Sequence, residues 1–138
     1  MEKTKEWLKR GWEINLRIKE LLAEKEKALT MATSITSQAT EEMVDSSKGN
    51  SSEAKFINYA DYSALIDETI DKLIETKKEI LEAIILVEEI SLQRLLVLRY
   101  ITFDSWDDIA DKMSYEHRYI HKLHGKALME IKNIRNKK

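Results

Sequence analysis

Apolar residues recur three and four positions apart along most of this chain, the period of amphipathic helices. In a first stretch Trp7, Gly11, Ile14, Ile18, Leu21, Lys25 and Ala28 keep that spacing, and in a second Ile66, Ile70, Leu73, Lys77, Ile80, Ile84 and Val87 repeat it. Seams of this kind belong to helices that coil against a partner, within one chain or between chains. Each is interrupted by a single lysine, Lys25 or Lys77, and polar residues at seam positions set register and oligomer state. Leu8, Leu22 and Leu29 widen the first stripe and Leu65, Leu81 and Ile85 the second, so each helix is expected to meet more than one neighbour. Residues 30–52, rich in Ser and Thr, read as a polar loop, with Ile35, Met43 and Val44 able to extend the flanking helices.

The last third breaks into shorter helical elements. An apolar helix ends near Tyr100, a break covers residues 101–104, and a compact helix starts at Ser105. Ser105 followed by Asp108 fits a capping pattern, in which a hydroxyl and a carboxylate three residues on satisfy free backbone donors. Ile109, Ala110 and Met113 form the apolar face of that short helix, and a turn is expected near residues 113–115. A final helix from about Glu116 buries Ile120, Leu123, Ala127, Ile131 and Ile134 and carries Arg118, Tyr119, Lys122 and Lys126 on its other face. The pattern predicts an all-α protein: a long helical hairpin or coiled-coil region over 1–90, then a helix-turn-helix over 91–138.

Charge changes the picture. Over 138 residues the net is only −2, which argues against a general nucleic-acid binder. Residues 112–138, however, hold eight Lys and Arg against two acids, Glu116 and Glu130, while the rest of the chain is strongly acidic. Cations concentrated on one segment are the footprint of phosphate contacts. The helix dipole accounts for Lys132, Arg135, Lys137 and Lys138 near a C-terminus, but not for Arg118 and Lys122 in the first half of a helix. Absence of Pro, three Gly and 35% charged residues favour long helices with solvated faces. No stretch is apolar for the length of a membrane span, and the start lacks the apolar core of a secretion signal. Cysteine is absent, which removes disulfide and thiolate chemistry and is compatible with the cytoplasm.

The order Leu98-Arg99-Tyr100, Trp106, Ile109-Ala110, Met113, Tyr115, Arg118, Ile120 and His124-Gly125-x-Ala127-Leu128 resembles the C-terminal region-4 helix-turn-helix of the sigma-70 family. It resembles more closely a group of small phage and mobile-element proteins of Gram-positive bacteria, described as phage transcriptional regulators. The resemblance covers about forty residues; before them it rests on architecture. It implies that Arg118, Tyr119 and Lys122 meet base edges, with His121 and Lys126 beside them, and that Ser105 and Tyr115 belong to the same DNA surface. Trp106 is expected to fill the small domain's core. Ser114 departs from the pattern, since sigma-like proteins place Gly in the turn, and a Cβ makes positive φ costly.

Other chemistry finds little support. His117, His121 and His124 share one helix, but no acid or cysteine stands ready to complete a metal site, and no cofactor is expected. Asp104, Asp107, Asp108 and Asp111 lack the glycine and ligand alternation of a calcium loop and read as helix-start acids. Without a phosphate-cradling Gly-rich loop or a nucleophile elbow, catalysis is not expected. The expectation is a DNA-binding transcriptional regulator, self-associated through Ile14, Ile18, Leu21, Ile66, Ile70, Leu73, Ile80 and Ile84, with double-stranded DNA as partner. Two alternatives stay open: a small-terminase-like DNA-packaging protein, and an interaction protein that docks on RNA polymerase without reading DNA.

Overall fold

The computed structural model describes residues 2–39 and 47–137, with side chains at 2–33 and 58–137. Those residues form an all-α protein, about 87% helical and without strands. The helices are α1 (Glu2–Leu8), α2 (Arg10–Ala39), α3 (Ser47–Ile84), α4 (Ile90–Tyr100), α5 (Trp106–Met113) and α6 (His117–Asn136). Most of the stretch expected as a polar loop is therefore helical: α2 runs to Ala39 and α3 starts at Ser47. Met43 and Val44 lie outside the described residues. Ser and Thr are only moderately unfavourable in helices, and Thr30 and Thr33 direct their hydroxyls to the carbonyls of Glu26 and Leu29 one turn back.

The chain groups into two compact units, residues 1–13 with 73–138, and residues 14–72. The first draws its N-terminal piece from the far end of the sequence because α1 packs on α6, bringing Leu8 fully into the core. There it joins Ile80, Ile84 and Val87, then Leu92, Leu95, Leu96 and Tyr100 of α4, Ile109 of α5, and Ile120 and Ile131 of α6. Helix α6 is the centre of this unit, packing on α1, α4 and α5. In the second unit, Ile18 of α2 and Ile66 and Thr69 of α3 are buried, and the Lys25 ammonium lies 5.1 Å from the centre of the Tyr59 ring.

These contacts revise the expected self-association seam. Ile18, Ile66, Ile80 and Ile84 are buried within the single chain, and Ile14, Leu21 and Leu73 are partly buried. Only Ile70 of that set is exposed. Both seam lysines rest on aromatic rings of their own chain, Lys25 on Tyr59 and Lys77 on Phe103 at 4.7 Å. The stripe was wide enough for two contacts, and the intrachain one took its centre. Among the large apolar side chains left exposed are Ile74, Leu81, Ile85 and Leu86, with Ile90 at 78% the most open.

Three interactions fix the corner between α4 and α5. Phe103 adopts the left-handed conformation (φ 61°), which a bulky side chain reaches only where its surroundings impose it. Asp104 N–H donates to Leu98 O at 2.8 Å, and Arg99 Nη1 donates to Asp104 O at 3.1 Å. The Phe103 ring meets Trp12 edge-on at 5.6 Å and leans on Gly11, where a Cβ would stand 3.4 Å from the ring. A methyl group just fits there, and a branched side chain does not. Gly11→Val is expected to destabilise the protein by about 1–3 kcal/mol through overpacking. Urea unfolding of the variant beside Gly11→Ala checks this, the alanine form being nearly neutral.

Candidate nucleic-acid interface

Helix α5 starts as its sequence predicts. The Ser105 hydroxyl accepts from Asp108 N–H at 3.1 Å, the forward half of a capping box. Its other end closes on Ser114, which is left-handed (φ 58°); Ser114 N–H donates to Asp111 O and Tyr115 N–H to Ala110 O, satisfying carbonyls that the helix end leaves free. The missing turn glycine is thus replaced by a serine that accepts the positive φ, at an intrinsic cost of about 1–2 kcal/mol.

Helix α6 follows after Tyr115 and Glu116 and divides sharply by face. Ile120, Leu123, Ala127, Leu128 and Ile131 are buried, whereas Arg118, Tyr119, His121, Lys122 and Lys126 are exposed. Among the described residues no hydrogen bond or ion pair holds Arg118, Lys122 or Lys126, so their charges face solvent. Tyr115 and Tyr119 stand edge to face at 4.8 Å beside them, both exposed. Ser105 is exposed at the start of α5, but its hydroxyl oxygen is engaged as a cap. Every residue expected at the interface is therefore at the surface.

Two cations of the basic segment are engaged by side chains of their own chain instead. Lys112 Nζ sits 2.6 Å from Asp104, and that contact holds the Asp104 carboxyl below its usual range, helped by the Thr102 hydroxyl. Arg135 lies over the Trp7 ring at 4.3 Å.

The three histidines diverge. His117 reaches Asp107 at 2.9 Å, and His121 packs on Trp106 at 4.8 Å between ring centres. His124 is buried, with Nε2 2.6 Å from the Tyr100 hydroxyl. Burial pushes the Tyr100 hydroxyl up to about 12, and burial, reinforced by Lys5, Arg99, His121 and Lys9, pushes His124 down to about 4. Both groups are neutral at pH 7, and the imidazole tautomer sets which of the two donates. Trp106 is half-buried rather than central: Arg99 covers it at 4.2 Å and His124 meets it edge-on at 4.8 Å.

Family models, curated proteins and solved structures were all compared with this chain. None matches it.

Sequence reasoning named Arg99 only within the Leu98-Arg99-Tyr100 motif and gave it no role. Its guanidinium lies 4.7 Å from the Trp12 ring and 4.2 Å from the Trp106 ring, and its carbonyl accepts from Trp12 Nε1 at 2.7 Å. Only the spacing of Trp12 and Trp106 around an isolated half-buried arginine could have suggested it, and 87 residues separate Trp12 from Arg99.

The buried pair at the base of the interface makes stability depend on pH. Unfolded, His124 binds a proton near its ordinary value of 6.5; folded, it resists until about 4. Stability is therefore complete above pH 6.5 and falls as pH drops through the window down to 4, by up to about 3 kcal/mol. Urea unfolding at pH 7.5 and 5.0 is expected to show this loss, and Tyr100→Phe, which leaves Nε2 without its hydrogen-bond partner, to cost about 1–3 kcal/mol at pH 7.5.

Proposed function

We propose that this protein is a sequence-specific DNA-binding transcriptional regulator, acting through a helix-turn-helix formed by α5 and α6. The observation that carries this reading is the division of α6: one face is sealed into the core, and the other presents Arg118, Lys122 and Lys126 without partners among the described residues. A recognition helix needs that combination, rigid support behind and unneutralised donors in front. The resemblance to sigma region 4 and to phage regulators of Gram-positive bacteria agrees with it.

In this mechanism the first two turns of α6 enter a major groove. Arg118 addresses a guanine edge with its two-pronged donor geometry, while Lys122 and Lys126 meet phosphates. Tyr119 and Tyr115 supply apolar contact at the groove wall. Helix α5 crosses the backbone above, with its acids Asp107, Asp108 and Asp111 turned away from the duplex. Copies associate through the exposed side chains of Ile74, Leu81, Ile85 and Ile90 so that paired half-sites are read together. The bound assembly then recruits or blocks RNA polymerase.

Binding of the purified protein to duplex fragments from its own genetic neighbourhood, at two salt concentrations, tests the reading. Selective binding is expected, with Arg118→Ala weakening it by about 1–3 kcal/mol at one position of the site. Lys122→Ala should weaken all sequences alike and lower the salt slope by about 1. A folded Arg118→Ala/Lys122→Ala variant that binds as the native protein does, or no selective binding by either, would overturn it.

A further inference from the structure

A second cationic site lies away from the Arg118–Lys122 face, where α1 and the start of α2 meet the end of α6. The groove encloses about 690 Å3 and is lined by Lys3, Thr4, Glu6, Trp7, Arg10, Lys132, Arg135 and Asn136. Its lining sets four cations against one acid, Glu6, and Glu79 pairs with Arg10 from outside it, which leaves an excess of two positive charges. The guanidiniums are held before any ligand arrives. Arg135 and Arg10 lie over the Trp7 ring at 4.3 and 5.0 Å, and Arg10 Nε donates to Trp7 O at 3.0 Å. The indole is thus occupied as a platform for arginines, not open to a stacked base.

Arg10 Nη2 is buried and pairs with the Glu79 carboxylate at 3.3 Å, so Glu79 takes up part of its charge. Lys3, Lys132 and Arg135 line the groove with no acid paired to them among the described residues, and an anion there would meet charge-assisted donors. We infer that this groove is a phosphate-binding site. Lys3 and Lys132 close on the phosphate oxygens, Arg10 and Arg135 donate from the indole platform, and the Thr4 hydroxyl and Asn136 amide are neutral donors within the same lining. The volume accommodates two linked phosphates, carried either by a small phosphorylated molecule or by a nucleic-acid backbone. The assignment does not rest on the reading of the α6 face.

The test uses the full chain and Lys3→Gln/Lys132→Gln, since neither lysine makes a hydrogen bond or ion pair among the described residues. Lys19→Gln/Lys78→Gln removes the same charge from exposed positions elsewhere and serves as control. Titration calorimetry with inorganic pyrophosphate at fixed ionic strength is one arm; a salt series with duplex DNA of arbitrary sequence is the other. Pyrophosphate binding weakened about tenfold or more in the groove variant alone supports the site with a small phosphate as ligand. No pyrophosphate binding, with a DNA salt slope lower by about 2 in the groove variant alone, supports it with the backbone as ligand. Neither effect, or equal effects in the control, overturns it. Loss of Arg118 touches neither arm's comparison, so failure here and failure of the DNA-reading face are told apart.

Discussion

The stacking of Arg99 between Trp12 and Trp106 is the contact on which the first unit depends. A guanidinium is planar and weakly hydrated, so it can lie against two indoles while still using its edge to donate, here to Asp104 O. One side chain thereby ties the start of α2, the end of α4 and the first turn of α5. Burial makes the Arg99 guanidinium somewhat more acidic than usual, but arginine is basic enough to keep its charge. The left-handed Phe103, wedged between Trp12, Gly11 and Lys77, is the backbone strain that this arrangement holds in place.

Around that corner the core is built outward from α6. Its buried side chains are met by α4, α5 and α1, which leaves one lengthwise face uncovered. The Tyr100–His124 pair is the single polar contact between fully buried partners of α4 and α6, and it specifies how the two helices sit. Neutrality of both groups makes the pair compatible with its apolar setting; a charged imidazolium there would be opposed by desolvation and by nearby cations.

The N-terminal segment has two consequences for function. Leu8 completes the core under α6, so the rigidity of the basic face draws on residues at the opposite end of the sequence. The same docking places Lys3 and Arg10 beside Lys132 and Arg135, concentrating positive charge that the two segments carry separately. Their joint surface is more cationic than the near-neutral total would suggest.

The sequence by itself determined what local periodicity and local chemistry control. The end of α4, the start of α5, the Ser105 cap, the turn near 113–115 and the split of α6 into apolar and basic faces all depend on residues within one or two turns of each other. It was less decisive where composition competes with propensity, as at residues 30–39 and 47–52, whose Ser and Thr suggested a loop and which are helical. Tertiary structure alone decided which neighbours fill each apolar stripe. Periodicity shows that Ile80 and Ile84 need a partner but not whether it belongs to the same chain, and they were claimed by the intrachain core while Ile74, Leu81 and Ile85 stayed exposed. The Trp12–Arg99–Trp106 stack and the Arg10–Arg135 groove were hidden for the same reason: hydrophobic and cation–π attraction are set by distance in space, and nothing in a linear pattern records which distant segments will meet.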